Sequence, residues 1–243
     1  MVTSYIGKNP KAVTRLVELC DRLSIAVHES CPSAMNFPAS HPAHQGCQWN
    51  GGGQSPALAE ADVVLVIDSD VPWIPKENNP AKGATIFHID VDPLKEQMPL
   101  FYIPAQRRYK ADAETALTQI LDSLEGKHID MAGVKSRLQY LTERHQKRIE
   151  KLDKLENIGP GSDITTPILM SVFRKIVPGD STLMIEVPPF SSILISGYYS
   201  IRTVFRSFPF RNSWTSICIR CRKSRMGSSS VDRCTSGSQR YGA

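Results

Sequence analysis

No stretch of the 243-residue sequence approaches the roughly 20 consecutive apolar residues of a membrane-spanning helix, so no membrane partner is expected. The amino terminus lacks the basic-then-apolar layout of a secretory signal. No histidine follows His145, and Cys218-Ile219-Arg220-Cys221 has no second cysteine pair, so the four ligands of a structural zinc site are not there. Cys20, Cys31 and Cys47 show no framework spacing, which suits a reducing compartment such as the cytoplasm. No G-x-G-x-x-G occurs, and the triplet Gly51-Gly52-Gly53 leads into no helix-forming run, so it is a weak phosphate loop. Acidic residues are almost missing from the end of the chain. After Val187, nine Lys and Arg face Asp232 alone, a net +8 that leaves the first 187 residues at −3 within the whole-chain +5. The basic balance belongs to the tail, so nucleic acid is not an expected partner of the body.

What is present alternates strand-like and helix-like segments over residues 1–125. Val2–Ile6 reads as a strand entered partway along. Pro10 suits a first helical turn, and Val13, Leu16, Val17 and Cys20 follow at helical spacing over about Lys11–Leu23. Ile25-Ala26-Val27 is the next strand of a right-handed crossover. Val63–Ile67 and Ala84–Ile89 are apolar without alternation, the pattern of interior strands in a parallel sheet covered by helices on both faces. Each ends on acids, Asp68 and Asp70 in one case, Asp90 and Asp92 in the other. Acids at that place either rim a ligand crevice beyond the carboxyl ends of strands or start turns and cap helices. Asp92-Pro93 opens a short helical segment, Arg107–Tyr109 is an edge strand, and Asp112 caps a helix over Ala113–Leu124. The expectation is a Rossmann-like α/β layer of about five strands over residues 1–127.

Cys31 to Pro56 reads as one long irregular segment containing His41 and His44, without a carboxylate or thiolate at ligand spacing. Loops of that length lie over a site or an interface. Residues 128–162 hold a charged linker helix: Val134, Leu138, Leu141, His145, Ile149, Leu152 and Leu155 step by three and four, too short a seam for a coiled-coil dimer. Ile158–Ser162 breaks it. Residues 163–187 start a second α/β domain, with Asp163 or Thr165 capping a helix and Ser181–Val187 a strand. The Arg/Ser-rich residues 188–243 have no helical or strand period. They read as an ending translated out of frame from a point between about Glu186 and Gly197, or as a disordered basic tail.

Several segments resemble one family. Leu58–Asp68 with Asp70-Val71-Pro72-Trp73-Ile74-Pro75, and His88-Ile89-Asp90-Val91-Asp92-Pro93-Leu94, resemble the central domain of thiamine-diphosphate-dependent enzymes of the acetolactate-synthase-like group. Gly7-Lys8-Asn9-Pro10 and Ser33-Ala34-Met35-Asn36-Phe37-Pro38 are similar to that group as well, and Asp163–Pro167 looks like the start of its pyrophosphate-binding domain. The resemblance spans about Met1–Glu186.

It implies an enzyme that decarboxylates and joins 2-oxo acids with thiamine diphosphate and Mg2+, assembled as a homo-oligomer in the cytoplasm, or in the mitochondrion for a full-length parent. It also implies that the chemistry lies elsewhere. The activating glutamate belongs to an amino-terminal domain outside the resembling segments. The Gly-Asp-Gly motif that holds magnesium is missing, since Gly179-Asp180-Ser181 lacks the second glycine. No residue carries over as catalytic, and the chain is expected to be inactive by itself. In acetolactate synthases the central domain binds FAD. Here Gly7 would lie near a phosphate and Asp90 near a ribose, although Asp70-Val71-Pro72-Trp73 departs from the flavin-binding pattern. Trp73 is expected to pack between domains. The other reading is a non-catalytic Rossmann-like module that binds a nucleotide or partners a complete subunit.

Overall fold

The computed structural model describes residues 1–32, 34–48, 53–96, 98, 103–157, 163–176, 184–187 and 218–221. Six parallel strands form the main sheet: β1 (Val2–Thr3), β2 (Val27–Ser30), β3 (His44–Gln48), β4 (Val63–Ile67), β5 (Thr85–Asp90) and β6 (Arg107–Lys110). Their order is β3-β2-β1-β4-β5-β6, the doubly wound order in which the sheet reverses direction of growth between β1 and β4. The fold is therefore α/β and Rossmann-like.

Interior strands without alternation need apolar cover on both sides, and the side chains divide accordingly. Ile67 and Ile89 face α1 (Pro10–Leu23) and α3 (Ala113–Ser123), whose Leu16, Leu19, Leu117 and Leu121 complete that core. Val64, Val66 and Ile86 face the other way, onto Leu58 of α2 (Pro56–Ala59), Trp73 and Ile103. Trp73 thus packs inside this domain, not between domains as expected. Capping sets the helix ends. Asn9 accepts from the Lys11 amide before Pro10 begins α1, and Asp112 accepts from the Thr115 amide at the start of α3.

Three local expectations change. The first strand ends at Thr3, because the amides of Ser4 and Tyr5 both turn to the Asp68 carbonyl and a 3-10 turn follows at Ile6–Lys8. The supposed irregular segment contains β3, which raises the strand count from five to six. Its sequence, His-Gln-Gly-Cys-Gln, has no apolar run; pairing with β2 on one side holds it, with Gly46 at φ +119° absorbing a register shift opposite Val27 and Glu29. Asp92–Lys95 is a turn rather than a helix, closed from the Lys95 amide to the Asp92 carbonyl.

A 26-residue helix, α4 (Met131–Glu156), starts from an Asp130 cap and runs along the amino end of the sheet to its β3 edge. Arg137 bonds the Leu23 carbonyl, Arg144 pairs with Glu60, and Arg148 reaches His44. α5 (Thr166–Ile176) packs on α4, and β7 (Met184–Val187) pairs in parallel with β8 (Cys218–Cys221), which contains both cysteines of the CxxC. The proposed linker at 158–162, Gly51-Gly52, and the tail apart from β8 lie outside the described residues. Among the described residues no helix is long and apolar enough to cross a membrane.

Leu117 is fully buried between α1 and the sheet. Leu117→Ala should lower unfolding free energy by about 3 kcal/mol through lost burial and the cavity left behind, read as a reduced urea midpoint at unchanged slope. A loss below about 1 kcal/mol would refute this packing.

Candidate functional site at the carboxyl end of the sheet

Doubly wound sheets bind ligands where adjacent crossovers diverge, here beyond β1 and β4. The chain closes this crevice with short polar stitches. The Ser4 hydroxyl donates to the Ser30 carbonyl at 2.5 Å, which leaves Ser69 as donor in the 2.6 Å contact with Ser4. The Ser30 hydroxyl in turn donates to the Val71 carbonyl at 2.7 Å. Asp68, the pivot after β4, has φ +46° and turns its carbonyl to the amides of Ser4 and Tyr5.

An acid-lysine cluster lies beside these stitches. Asp90, at the end of β5, is buried. Its Oδ1 accepts from the Asp92 amide and its Oδ2 from Lys95 Nζ, both at 2.8 Å, while His88 Nε2 stands 3.7 Å from Oδ2. Lys95 Nζ also donates to Asp70 Oδ1 at 2.8 Å. A φ of +52° at Lys95 folds its side chain back between the two acids. Burial acts to raise the Asp90 carboxyl, but His88, Lys95 and the Asp92 amide outweigh it and hold it below the ordinary value. Burial likewise opposes the Lys95 charge, and the two aspartates outweigh it and raise the ammonium. Burial, then the charge of Asp70 and its hydrogen bond, pushes the Tyr5 hydroxyl up to about 12. Asp68 differs: burial with the charges of Asp90 and Asp112 pushes it up to about 6, within reach of proton exchange near neutral pH.

A second network starts at Gly7, in the loop between β1 and α1. The Gly7 amide donates to Asn36 Oδ1 at 2.9 Å, and a Cβ at this position would collide with the Met35 carbonyl oxygen. Asn36 passes the connection to Glu29 of β2: its amide and its Nδ2 both donate to Glu29 Oε1 at 3.0 Å. His44 Nε2 meets Glu29 Oε2 at 3.0 Å, and Arg148 Nη2 reaches His44 Nδ1 at 2.9 Å. A guanidinium only donates, so Nδ1 is the acceptor and the proton sits on Nε2, aimed at Glu29. Glu29 is 0% exposed, and burial pushes its carboxyl up to about 7 against the Asn36 bonds and the Arg148 charge.

Of the two residues expected near a nucleotide, Gly7 has its amide taken by Asn36, and Asp90 has both oxygens engaged within the chain. The structure does not bring these two together in one network. Glu29, Lys95 and Arg148 were not singled out from the sequence; Asn36 was noted only within a resembling segment and His44 only as half of a histidine pair. Glu29 had a signal: an acid about 20 residues past the first-loop glycine is the ribose position of this fold. His41, the other histidine of the pair, binds Asp21 and lies edge-on to Phe37. Among the described residues, no group of three or more His, Cys, Asp and Glu is placed to hold a metal ion. A cavity of about 820 Å³ opens at the opposite, amino end of the strands under α4. Its walls are mostly apolar; of its polar lining, Arg137 donates to the Leu23 carbonyl, and Tyr140 and Arg144 both bond the Glu60 carboxylate, with His28 and Asp62 also in the polar wall. No protein-family model matches the chain, and no curated protein sequence matches it.

Two outcomes follow. Glu29 binds its proton more readily folded than unfolded, so its support for folding is full below 4.5 and lost as pH rises through about 7. Glu29→Gln removes that titration, and the stability of the natural chain relative to this variant should fall by about 3 kcal/mol across the same window. Urea unfolding at a series of pH values reads it, and a difference independent of pH refutes it. Lys95→Met strands two carboxylates and should cost about 3 kcal/mol, part of which Asp90→Asn in the same chain restores. Equal stability of the single variant and the natural chain would show the cluster to be energetically idle.

Proposed function

We propose that this chain supplies the central, scaffold domain of a thiamine-diphosphate-dependent enzyme of the acetolactate-synthase-like kind, with α4 as the strap to the pyrophosphate-binding domain. One observation carries the reading. Four of the segments that resemble the family, around Gly7, Asn36, Val71 and Asp90, are far apart in sequence, yet they lie at the carboxyl end of one parallel sheet. Gly7 is bonded to Asn36, Val71 to Ser30 at the end of β2, and Asp70 through Lys95 to Asp90. In such an enzyme the 2-oxo acid, thiamine diphosphate and Mg2+ are bound by other domains, and the subunits form a homo-oligomer. The acids of this domain then hold its loops in shape for neighbouring domains rather than touching substrate. The nucleotide-binding alternative rests on the doubly wound strand order and weakens at Gly7 and Asp90, whose polar groups are taken internally.

The purified chain given pyruvate, thiamine diphosphate and Mg2+ is expected to release no CO2 and form no acetolactate; turnover would overturn the scaffold assignment. Coexpressed with a complete acetolactate-synthase-like subunit, it is expected to enter a mixed assembly, seen by light scattering after size exclusion. Failure to associate counts against the family. Translation of the coding nucleotides beyond Glu186 in the other two frames is expected to show a Gly-Asp-Gly motif.

A further inference from the structure

The fold family implies a dinucleotide at the switch point, FAD or NAD, and two groups would hold it. Amides of the β1–α1 loop and the α1 amino terminus take the pyrophosphate, and the acid near the end of β2 takes the ribose hydroxyls. In this chain Gly7 and Glu29 hold those places. We propose that Asn36 is an internal substitute for that ligand, so that the dinucleotide seat is filled by the chain's own loop and takes neither FAD nor NAD.

The bonds of Asn36 match those a nucleotide would make. Its Oδ1 accepts the Gly7 amide at 2.9 Å, as a phosphate oxygen would. Its Nδ2 donates to Glu29 Oε1 at 3.0 Å, as a ribose hydroxyl would, and its own amide adds a second bond to the same oxygen. The remaining Nδ2 hydrogen goes to the Ala34 carbonyl at 3.1 Å. Every polar group of the side chain is thus satisfied, and Asn36 is fully buried.

The surroundings refuse a phosphate independently. The Met35 carbonyl oxygen stands where a Cβ on Gly7 would be, so a backbone acceptor is packed directly against this glycine. At the start of α1, Pro10 has no amide hydrogen and the Lys11 amide is taken by Asn9 Oδ1 at 3.1 Å. Asn9 Nδ2 then binds Glu114 Oε2 at 2.8 Å, which puts a carboxylate beside the helix end that would attract phosphate. Asp68, Asp70 and Asp90 add negative charge along the rim; of the nearby cations, Lys95 is held by two of them and Lys8 lies over the Tyr5 ring, 4.4 Å from its centroid. On the ribose side Glu29 has no exposed surface, and its second oxygen is taken by His44.

The test uses the full chain and needs no variant to be decisive. Isothermal titration with FAD and with NAD is expected to show no saturable binding up to about 1 mM, and saturable binding of either below that concentration overturns the proposal. Amide hydrogen exchange is expected to find Gly7 at least about tenfold slower than an unbonded loop amide, and exchange at the unbonded rate also overturns it. In Asn36→Ala the Gly7 amide should exchange at least about tenfold faster while the Val66 and Ile89 amides keep their protection. An unchanged Gly7 rate in a folded variant would show that Asn36 is not its partner. If Asn36→Ala does not fold, the two measurements on the natural chain decide.

Discussion

The buried carboxylate of Glu29 is the constraint on which much of this architecture depends. A charge-bearing group with no exposed surface is tolerable only when surrounding donors replace water. Three donors do so here, and they come from two different places in the chain: the amide and side chain of Asn36, and the ring of His44. Satisfying one acid therefore fixes the loop after β2 and the edge strand β3. Through Arg148 on His44, it also fixes the far end of α4. The same side chain that stabilises the β3 edge holds Asn36, the residue proposed to fill the dinucleotide seat.

The second charged cluster obeys the same rule with the opposite outcome for its pKa values. Asp90 is nearly as buried as Glu29, but it faces an ammonium, and its carboxyl is held down instead of pushed up. The difference is a full opposite charge at 2.8 Å against neutral amide and imidazole donors. Asp68, with no such partner, is the acid of this edge whose charge can change near neutral pH. What resembles a catalytic rim is a set of carboxylates spent largely on holding turns.

Much of the sheet was legible from the residues. β4 and β5 are apolar without alternation, and such runs have few options other than the interior of a parallel sheet. Pro10 and Asp112 marked helix starts through backbone chemistry that needs no tertiary information. β3 was not legible, because His-Gln-Gly-Cys-Gln carries no periodic apolar signal and its place comes from backbone pairing and from His44 finding Glu29. Trp73 was assigned to an interface because an aromatic after a strand has no local feature that tells a domain's own core from a neighbour's.

The sequence alone determined the elements whose stability is local or depends only on burial: the amphipathic helices, the interior strands, and the parallel α/β layer they must form. Tertiary structure alone decided what the polar residues do. Glu29, Asn36, His44 and Arg148 are spread over more than a hundred positions, and neither spacing nor composition predicts that they form one chain of hydrogen bonds. A buried charge selects its partners by distance in space, and that distance exists only once the sheet has formed.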